Sequence, residues 1–298
     1  MLPITPLVTR YTMNNKKGTY RQKPHFKDAV ILLVEDNPVN KMVATEMLTA
    51  LGFAVTPAGN GLEALEMFSE RKFDLIFMDC QMPEMDGFEA TKQIRIREQK
   101  LSLDRSPIVA FTANAMKGDE ECCFNSGMDD FMTKPISNEV IKSMLLKWVP
   151  EKCVSADAPA ALPVIGGPEV DSVVDTEVTH ADDSNDIVLV DLVSFNKMKE
   201  LFKSEFPGLI NLNQSIANGN IEKSFSAVKN RDSQALCLAM HSLKGSSRQY
   251  GAMRLGYIAE QLETCARKKS FEGVDALLEQ LKIVGQETYE LIDKQMRC

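Results

Sequence analysis

The sequence predicts two unlike folding units: an α/β unit with a doubly wound parallel sheet over residues 28–149, and an all-helical bundle over residues 191–298. Three observations predict this. In the first unit five short apolar runs alternate with five amphipathic segments. In the second, apolar residues recur at the 3.6-residue period of helices and strand signals are few. Between them, residues 151–190 carry nine acids against Lys152 alone among Ala, Pro, Gly, Ser and Val, a composition that cannot bury a core.

The elements of the first unit follow in order. Apolar runs at Ala29–Val34, Phe53–Pro57, Phe73–Met78, Ile108–Phe111 and Asp130–Thr133 have the length of buried strands. The segments Val39–Leu51, Gly61–Glu70, Asp86–Glu98, Ala115–Asn125 and Asn138–Trp148 read as the helices between them. Such alternation predicts a parallel sheet covered on both faces, with functional groups gathered at the carboxyl ends of the strands. In the second unit one stripe runs through Val274, Leu277, Leu278, Leu281, Val284, Leu291 and Ile292, and another through Leu255, Ile258, Ala259 and Leu262. Breaks at Pro207-Gly208, Asn218-Gly219-Asn220, Asn230-Arg231-Asp232 and Lys268-Lys269-Ser270 divide it into four or five helices.

Charge excludes some functions. Lys and Arg number 34 against 42 Asp and Glu, a formal charge of −8 that the 151–190 stretch alone accounts for. Nucleic acid is therefore not an expected partner. Residues 1–27 are basic, without acids or helical periodicity, and read as a flexible arm; residues 150–190 read as an acidic linker. No apolar run approaches the roughly 18 residues of a membrane span. The expectation is a cytoplasmic chain without membrane insertion, or the cytoplasmic tail of a membrane protein if the chain is a fragment. Seven cysteines, an odd number without metal-type spacing, read as reduced and incidental thiols.

The polar residues at the predicted strand ends carry the chemistry. Glu35 and Asp36 end the first strand, Asp79 the third, Thr112 the fourth and Lys134 the fifth. Three carboxylates at one crevice repel, and a bound cation resolves this; oxygen donors favour Mg2+, with Mn2+ the alternative. A divalent cation and Lys134 beside Asp79 suit phosphoryl transfer to that carboxylate as nucleophile. Helix capping is the competing explanation, since Asp36 precedes Asn37-Pro38. Capping accounts for one acid and not for the set.

The segments Leu33-Val34-Glu35-Asp36-Asn37, Met78-Asp79-Cys80-Gln81-Met82-Pro83-Glu84-Met85-Asp86-Gly87, Phe111-Thr112-Ala113 and Lys134-Pro135 resemble those of two-component response regulator receiver domains. The resemblance implies a flavodoxin-like sheet of order 2-1-3-4-5. It also implies Asp79 as phosphoacceptor and Mg2+ on Glu35, Asp36, Asp79 and the main-chain carbonyl of Gln81. Lys134 then contacts the phosphoryl group, Thr112 senses it, and Phe131 stands at the aromatic switch position without a tyrosine hydroxyl. The Lys134-Pro135 bond is expected to be cis. Thr112-Ala113-Asn114-Ala115-Met116 and Gly127-Met128-Asp129-Asp130 are similar to receivers of hybrid sensor kinases.

In the bundle, Leu236, Met240 and Leu243 share an apolar stripe, from which His241 is displaced by roughly 100° per residue of helix. His241 is thus expected to face solvent. Gly245 follows one turn later, where glycine costs a helix ~1 kcal/mol relative to alanine. Two readings stand at this point: a docking site for a visitor that approaches closely, with Lys244 stabilising phosphoryl charge, or a surface histidine with an incidental glycine. The run His241-Ser242-Leu243-Lys244-Gly245-Ser246-Ser247, followed by Tyr250-Gly251-Ala252, resembles histidine phosphotransfer (HPt) domains, which are four-helix bundles. That resemblance implies phosphorylation of His241 and docking of a receiver over Gly245. His25 and His180 lie in the flanking segments and receive no role.

Together these readings predict a phosphorelay protein without its own ATP-binding kinase domain, resembling the C-terminal part of hybrid histidine kinases. The expected partners are an upstream histidine kinase and a separate receiver that docks on the HPt domain. A 40-residue linker spans roughly 35 Å root-mean-square, which allows internal docking, and the domain order motivates the expectation of transfer between Asp79 and His241. The competing functional reading is a non-catalytic docking adaptor.

Overall fold

The computed structural model describes residues 25–26, 29–112, 117–154 and 187–297. Most of the basic arm, most of the acidic linker, His180 and the Ala113–Met116 segment lie outside the described residues.

Five parallel strands form the sheet: β1 Val30–Val34, β2 Ala54–Ala58, β3 Leu75–Asp79, β4 Ile108–Thr112 and β5 Asp130–Thr133. Their spatial order is β2-β1-β3-β4-β5, the expected 2-1-3-4-5. The central strands β3 and β4 are wholly buried, as near-continuous apolar runs require. β2 departs from the expectation of a buried strand. It lies at the sheet edge with Ala54 and Pro57 exposed, a position where proline's missing N–H costs no ladder bond.

Helices α1 Pro38–Ala50, α2 Gly61–Glu70, α3 Gly87–Leu101, α4 Lys117–Ser126 and α5 Asn138–Trp148 connect and follow the strands. Asn37, Asn60, Asp86 and Ser137 cap four of them by accepting bonds from first-turn N–H groups. Outside this unit, His25–Phe26 pairs antiparallel with Cys153–Val154.

The C-terminal part is helical: α6 Leu192–Phe202, α7 Phe206–Lys229, α8 Ser233–Gln249, α9 Met253–Arg267 and α10 Val274–Arg297. Leu236, Met240, Leu243, Leu255, Ile258, Ala259, Leu262, Leu278, Leu281 and Ile292 bury the predicted stripes. The expected break at Asn218-Gly219-Asn220 does not occur; it lies inside α7. Asn220 is buried there and donates to Ser242 Oγ (3.3 Å), and packing along the 24-residue helix outweighs the local propensities. Arg254 Nε donates to Ile187 O and Asp191 N to Gly251 O, which fixes the entry to α6.

Buried residues of α1 and of the bundle belong to one continuous apolar cluster, so the two units pack against each other. Among the described residues no helix is long and apolar enough to cross a membrane.

Candidate functional site

The sheet topology brings the predicted strand-end residues to one crevice. Glu35 and Asp79 are each 1% exposed, and Thr112 is buried at the end of β4. Lys134 follows β5 with the Lys134-Pro135 bond cis, and its Nζ lies 2.7 Å from both Asp79 Oδ2 and Glu35 Oε2. One oxygen from each of Glu35, Asp36 and Asp79 falls within 4.8 Å of the others. Asn40 Nδ2 donates to Glu35 Oε1 (3.0 Å), and Gln81 N donates to Asp79 Oδ1 (3.2 Å). A Cβ at Gly87 would overlap the main-chain oxygen of Asp79, so that position must be glycine.

Capping does not explain the acids, because the cap of α1 is Asn37, which accepts from Val39 N and Asn40 N. Their electrostatics instead describe an unbalanced site. Burial pushes the Asp79 carboxyl up to about 7, opposed by the Lys134 ammonium and reinforced by Glu35. Burial and then Glu35 push Asp36 up to about 6. Burial disfavours the charge on Lys134, but Asp79 and Glu35 more than compensate and hold the ammonium above its usual range. Three carboxylates face one ammonium, and a hard divalent cation with oxygen preference fits this donor set. Phe131 is half-buried and meets Phe124 of α4 edge-on, with ring centroids 6.2 Å apart. Cys80 adjoins Cys123 in the core (Sγ to Sγ 3.7 Å); that contact and burial push the Cys80 thiol up, as expected of an unreactive side chain.

On the bundle, His241 Nδ1 lies 3.0 Å from Glu263 Oε1 on α9. An ionised carboxylate only accepts, so Nδ1 carries the proton in that contact. Glu263 was not singled out in the sequence, and neither was Arg267. Arg267 Nη2 (2.6 Å) and Nε (3.2 Å) donate to the same Glu263 oxygen. Burial opposes the Glu263 charge, but the His241 hydrogen bond and Lys244 hold its carboxyl well below the usual range. Lys244 is 2% exposed with its Nζ 2.6 Å from Glu263 Oε2. It stands against that acid, where the sequence reading had it facing a phosphoryl group.

His241 is not open to solvent as expected; it is 8% exposed, because the sheet unit is seated on this face of the bundle. Asn37 Nδ2 donates to Ser242 Oγ (2.9 Å) and to Ser242 O (3.3 Å). Arg267 Nη2 donates to Gln81 Oε1 (2.9 Å). Ile136 N donates to Gln249 Oε1 (3.3 Å), while Gln249 Nε2 donates back to Ile136 O (3.4 Å). A Cβ on Gly245 would stand 3.3 Å from Asn40 Nδ2, so the close visitor at this glycine is α1 of the same chain. The seat brings His241 near enough to add to the electrostatic surroundings of Asp79.

Comparison with known proteins agrees with this division. Residues 31–146 match the response regulator receiver domain and residues 197–288 match the Hpt domain. The chain is 44% identical over 126 residues to hybrid signal transduction histidine kinase E of Dictyostelium discoideum, covering 42% of this chain and 7% of that protein. It is 30% identical over 254 residues to the sensor protein GacS of Pseudomonas syringae pv. syringae, covering 83% of this chain and 26% of GacS. The chain therefore spans about a quarter or less of these relatives. Among solved structures, the receiver domain of a sensor histidine kinase from Pseudomonas aeruginosa, with magnesium in its active-site cleft, is 42% identical over 41% of this chain and 98% of its own, with a TM-score of 0.38. The chain thus belongs to the two-component phosphorelay proteins, joining a response regulator receiver domain to an Hpt domain as hybrid histidine kinases do.

Proposed function

We propose that this chain moves a phosphoryl group reversibly between Asp79 and His241. The observation that supports this reading is the seating of the acid crevice on the bundle face that bears His241, held by Asn37 beside the acid pair and Gln81 two residues beyond Asp79. In the charging step an Asp79 oxygen attacks the phosphorus of a phosphohistidine donor; the O–P bond forms, the donor's N–P bond breaks, and the donor imidazole leaves with the electron pair. In the second step His241 Nε2 attacks, the N–P bond forms, and Asp79 recovers its carboxylate. Glu263 is a positioning residue: its carboxylate fixes the Nδ1–H tautomer that leaves Nε2 nucleophilic.

In this reading the receiver spans 28–149 and the HPt domain 191–298. Glu35, Asp36, Asp79 and the Gln81 carbonyl hold Mg2+, or Mn2+ in its place. The bound cation supplies neutralisation of charge on the transferring group. Lys134 stabilises the same charge, Thr112 senses the phosphorylated state and Phe131 reorients with it. Lys244 steadies Glu263 in the free bundle and turns to the phosphoryl group once His241 is charged; Gly245 keeps the seat open. An upstream histidine kinase supplies the group, a separate receiver accepts it from His241 on the same seat, and the exchange takes place in the cytoplasm.

The test is incubation with acetyl phosphate and Mg2+, followed by acid and base lability of the label in wild type, Asp79→Asn and His241→Gln. The expected result is base-labile label that needs Asp79 and acid-labile label that needs both residues. Aspartyl label that never reaches His241 overturns internal transfer, and absence of label from acetyl phosphate or any kinase leaves a docking adaptor in its place.

A further inference from the structure

The hydrogen bonds that Gln249, Ser242 and Arg267 make between the two units fall into two chemical kinds. Gln249, at the end of α8 and 7% exposed, forms a two-bond clamp with the N–H and the C=O of Ile136. Both partners are main-chain groups, so the clamp is blind to the side chain it meets. Ser242 and Arg267 instead meet side-chain amides: Ser242 Oγ accepts from Asn37 Nδ2, and Arg267 donates to Gln81 Oε1. Asn220 Nδ2 also donates to Ser242 Oγ from within the bundle, which fixes that hydroxyl in place for its visitor. Asn37 directly follows the acid pair, and Gln81 comes two residues after the acceptor.

We propose that the HPt domain selects its receiver by dividing the task between these residues: Gln249 grips the main chain of any receiver, whereas Ser242 and Arg267 discriminate in favour of one with amide side chains at the positions of Asn37 and Gln81. The partner so defined is a receiver domain with an amide next to its metal-binding acid pair and a second amide two residues past its phosphoacceptor. This chain's own receiver meets both conditions. A receiver with an apolar residue at either place denies Ser242 or Arg267 that contact while still covering it, and this lost hydrogen bond is what separates wrong partners from right ones. The inference rests on the proposed transfer between Asp79 and His241.

The test measures, in the full chain, the rate at which phosphohistidine appears after acetyl phosphate charges Asp79. Each lost neutral hydrogen bond is expected to slow transfer by roughly two- to tenfold. Gln249→Ala is expected to slow it about tenfold, losing two bonds. Asn37→Ser keeps the helix cap, and Ser242→Ala leaves the crevice intact; each is expected to slow transfer about fivefold. The double variant Asn37→Ser/Ser242→Ala is expected to be no slower than Asn37→Ser alone, because Asn37 Nδ2 reaches Ser242 at both Oγ and the main-chain O and Ser242→Ala removes the first of these alone. Penalties that multiply in the double variant, or a Gln249→Ala rate equal to wild type, overturn this division of roles while internal transfer stands. A wild-type chain that holds aspartyl phosphate and forms no phosphohistidine overturns both.

Discussion

The two sites solve opposite charge problems with the same kinds of side chain. In the receiver, two buried carboxylates and the half-buried Asp36 share one ammonium, and burial pushes Asp79 and Asp36 up to about 7 and about 6. In the bundle, one buried carboxylate, Glu263, is held by Lys244, Arg267 and His241 and stays well below its usual range. Burial opposes ionisation in both places, and what differs is the count of cations within reach. The receiver is left short of positive charge, as a site for a divalent metal should be. The histidine site is left with cations to spare, as a site for a phosphoryl group should be.

The largest effect that would sharpen this contrast is at Lys134. Lys134→Met removes the one ammonium from the receiver crevice, and the rate of aspartyl labelling is expected to fall at least about a hundredfold, with no recovery at high Mg2+. A rate within tenfold of wild type would break the idea that the crevice is short of positive charge.

Next in size is the dependence of stability on pH without metal. The folded value of Asp79 is above its usual 3.8, so the folded receiver binds that proton more tightly than the unfolded chain does. Its contribution is most favourable below about 4 and is lost as pH rises to about 7. Asp79→Asn, measured by thermal unfolding in chelator, is therefore expected to raise the receiver transition by several degrees at pH 8 and by little at pH 4, on the order of one or two kcal/mol. Equal shifts at both pH values would mean that repacking, not charge, is responsible.

Glu263 has the opposite sign and a smaller expected effect. Its folded value is depressed, so its stabilisation is present above its usual 4.5 and is lost as pH falls below that. Glu263→Gln keeps an acceptor for His241 Nδ1 and removes the charge facing Lys244 and Arg267. We expect a melting temperature a few degrees lower at pH 7, a gap that closes below about pH 4, and slower phosphohistidine formation. A gap that widens in acid would break the comparison.

Much of this was legible in the sequence because local signals agreed with the fold. The receiver strands alternate with helices, so the order of elements alone assigns Glu35, Asp36, Asp79, Thr112 and Lys134 to one edge of the sheet. His241 was legible through the resemblance of its run to HPt domains, because its place off an apolar stripe, one turn before Gly245, left two readings open. Glu263 and Arg267 were not, because an acid and an arginine four residues apart on a half-exposed helix look like an ordinary surface pair. What makes Glu263 special is that α9 turns it inward against His241, and this is set by contacts 22 residues away along the chain. The continuity of α7 through Asn218-Gly219-Asn220 was illegible for the same reason: long-range packing decided it. The pairing of Asn37 with Ser242 joins residues 205 apart, and nothing in either neighbourhood announces it.

The burial of His241 has a consequence for traffic. With its imidazole 8% exposed beneath the receiver, a second protein the size of a domain cannot reach it until the first has left. In the proposed relay the seat takes one occupant at a time, and output is serial. Its ceiling is the dwell time of the closed arrangement, however fast the chemistry within it. A weaker clamp at Gln249 would lose efficiency in each internal exchange and shorten the wait for the next recipient, so throughput peaks at an intermediate grip.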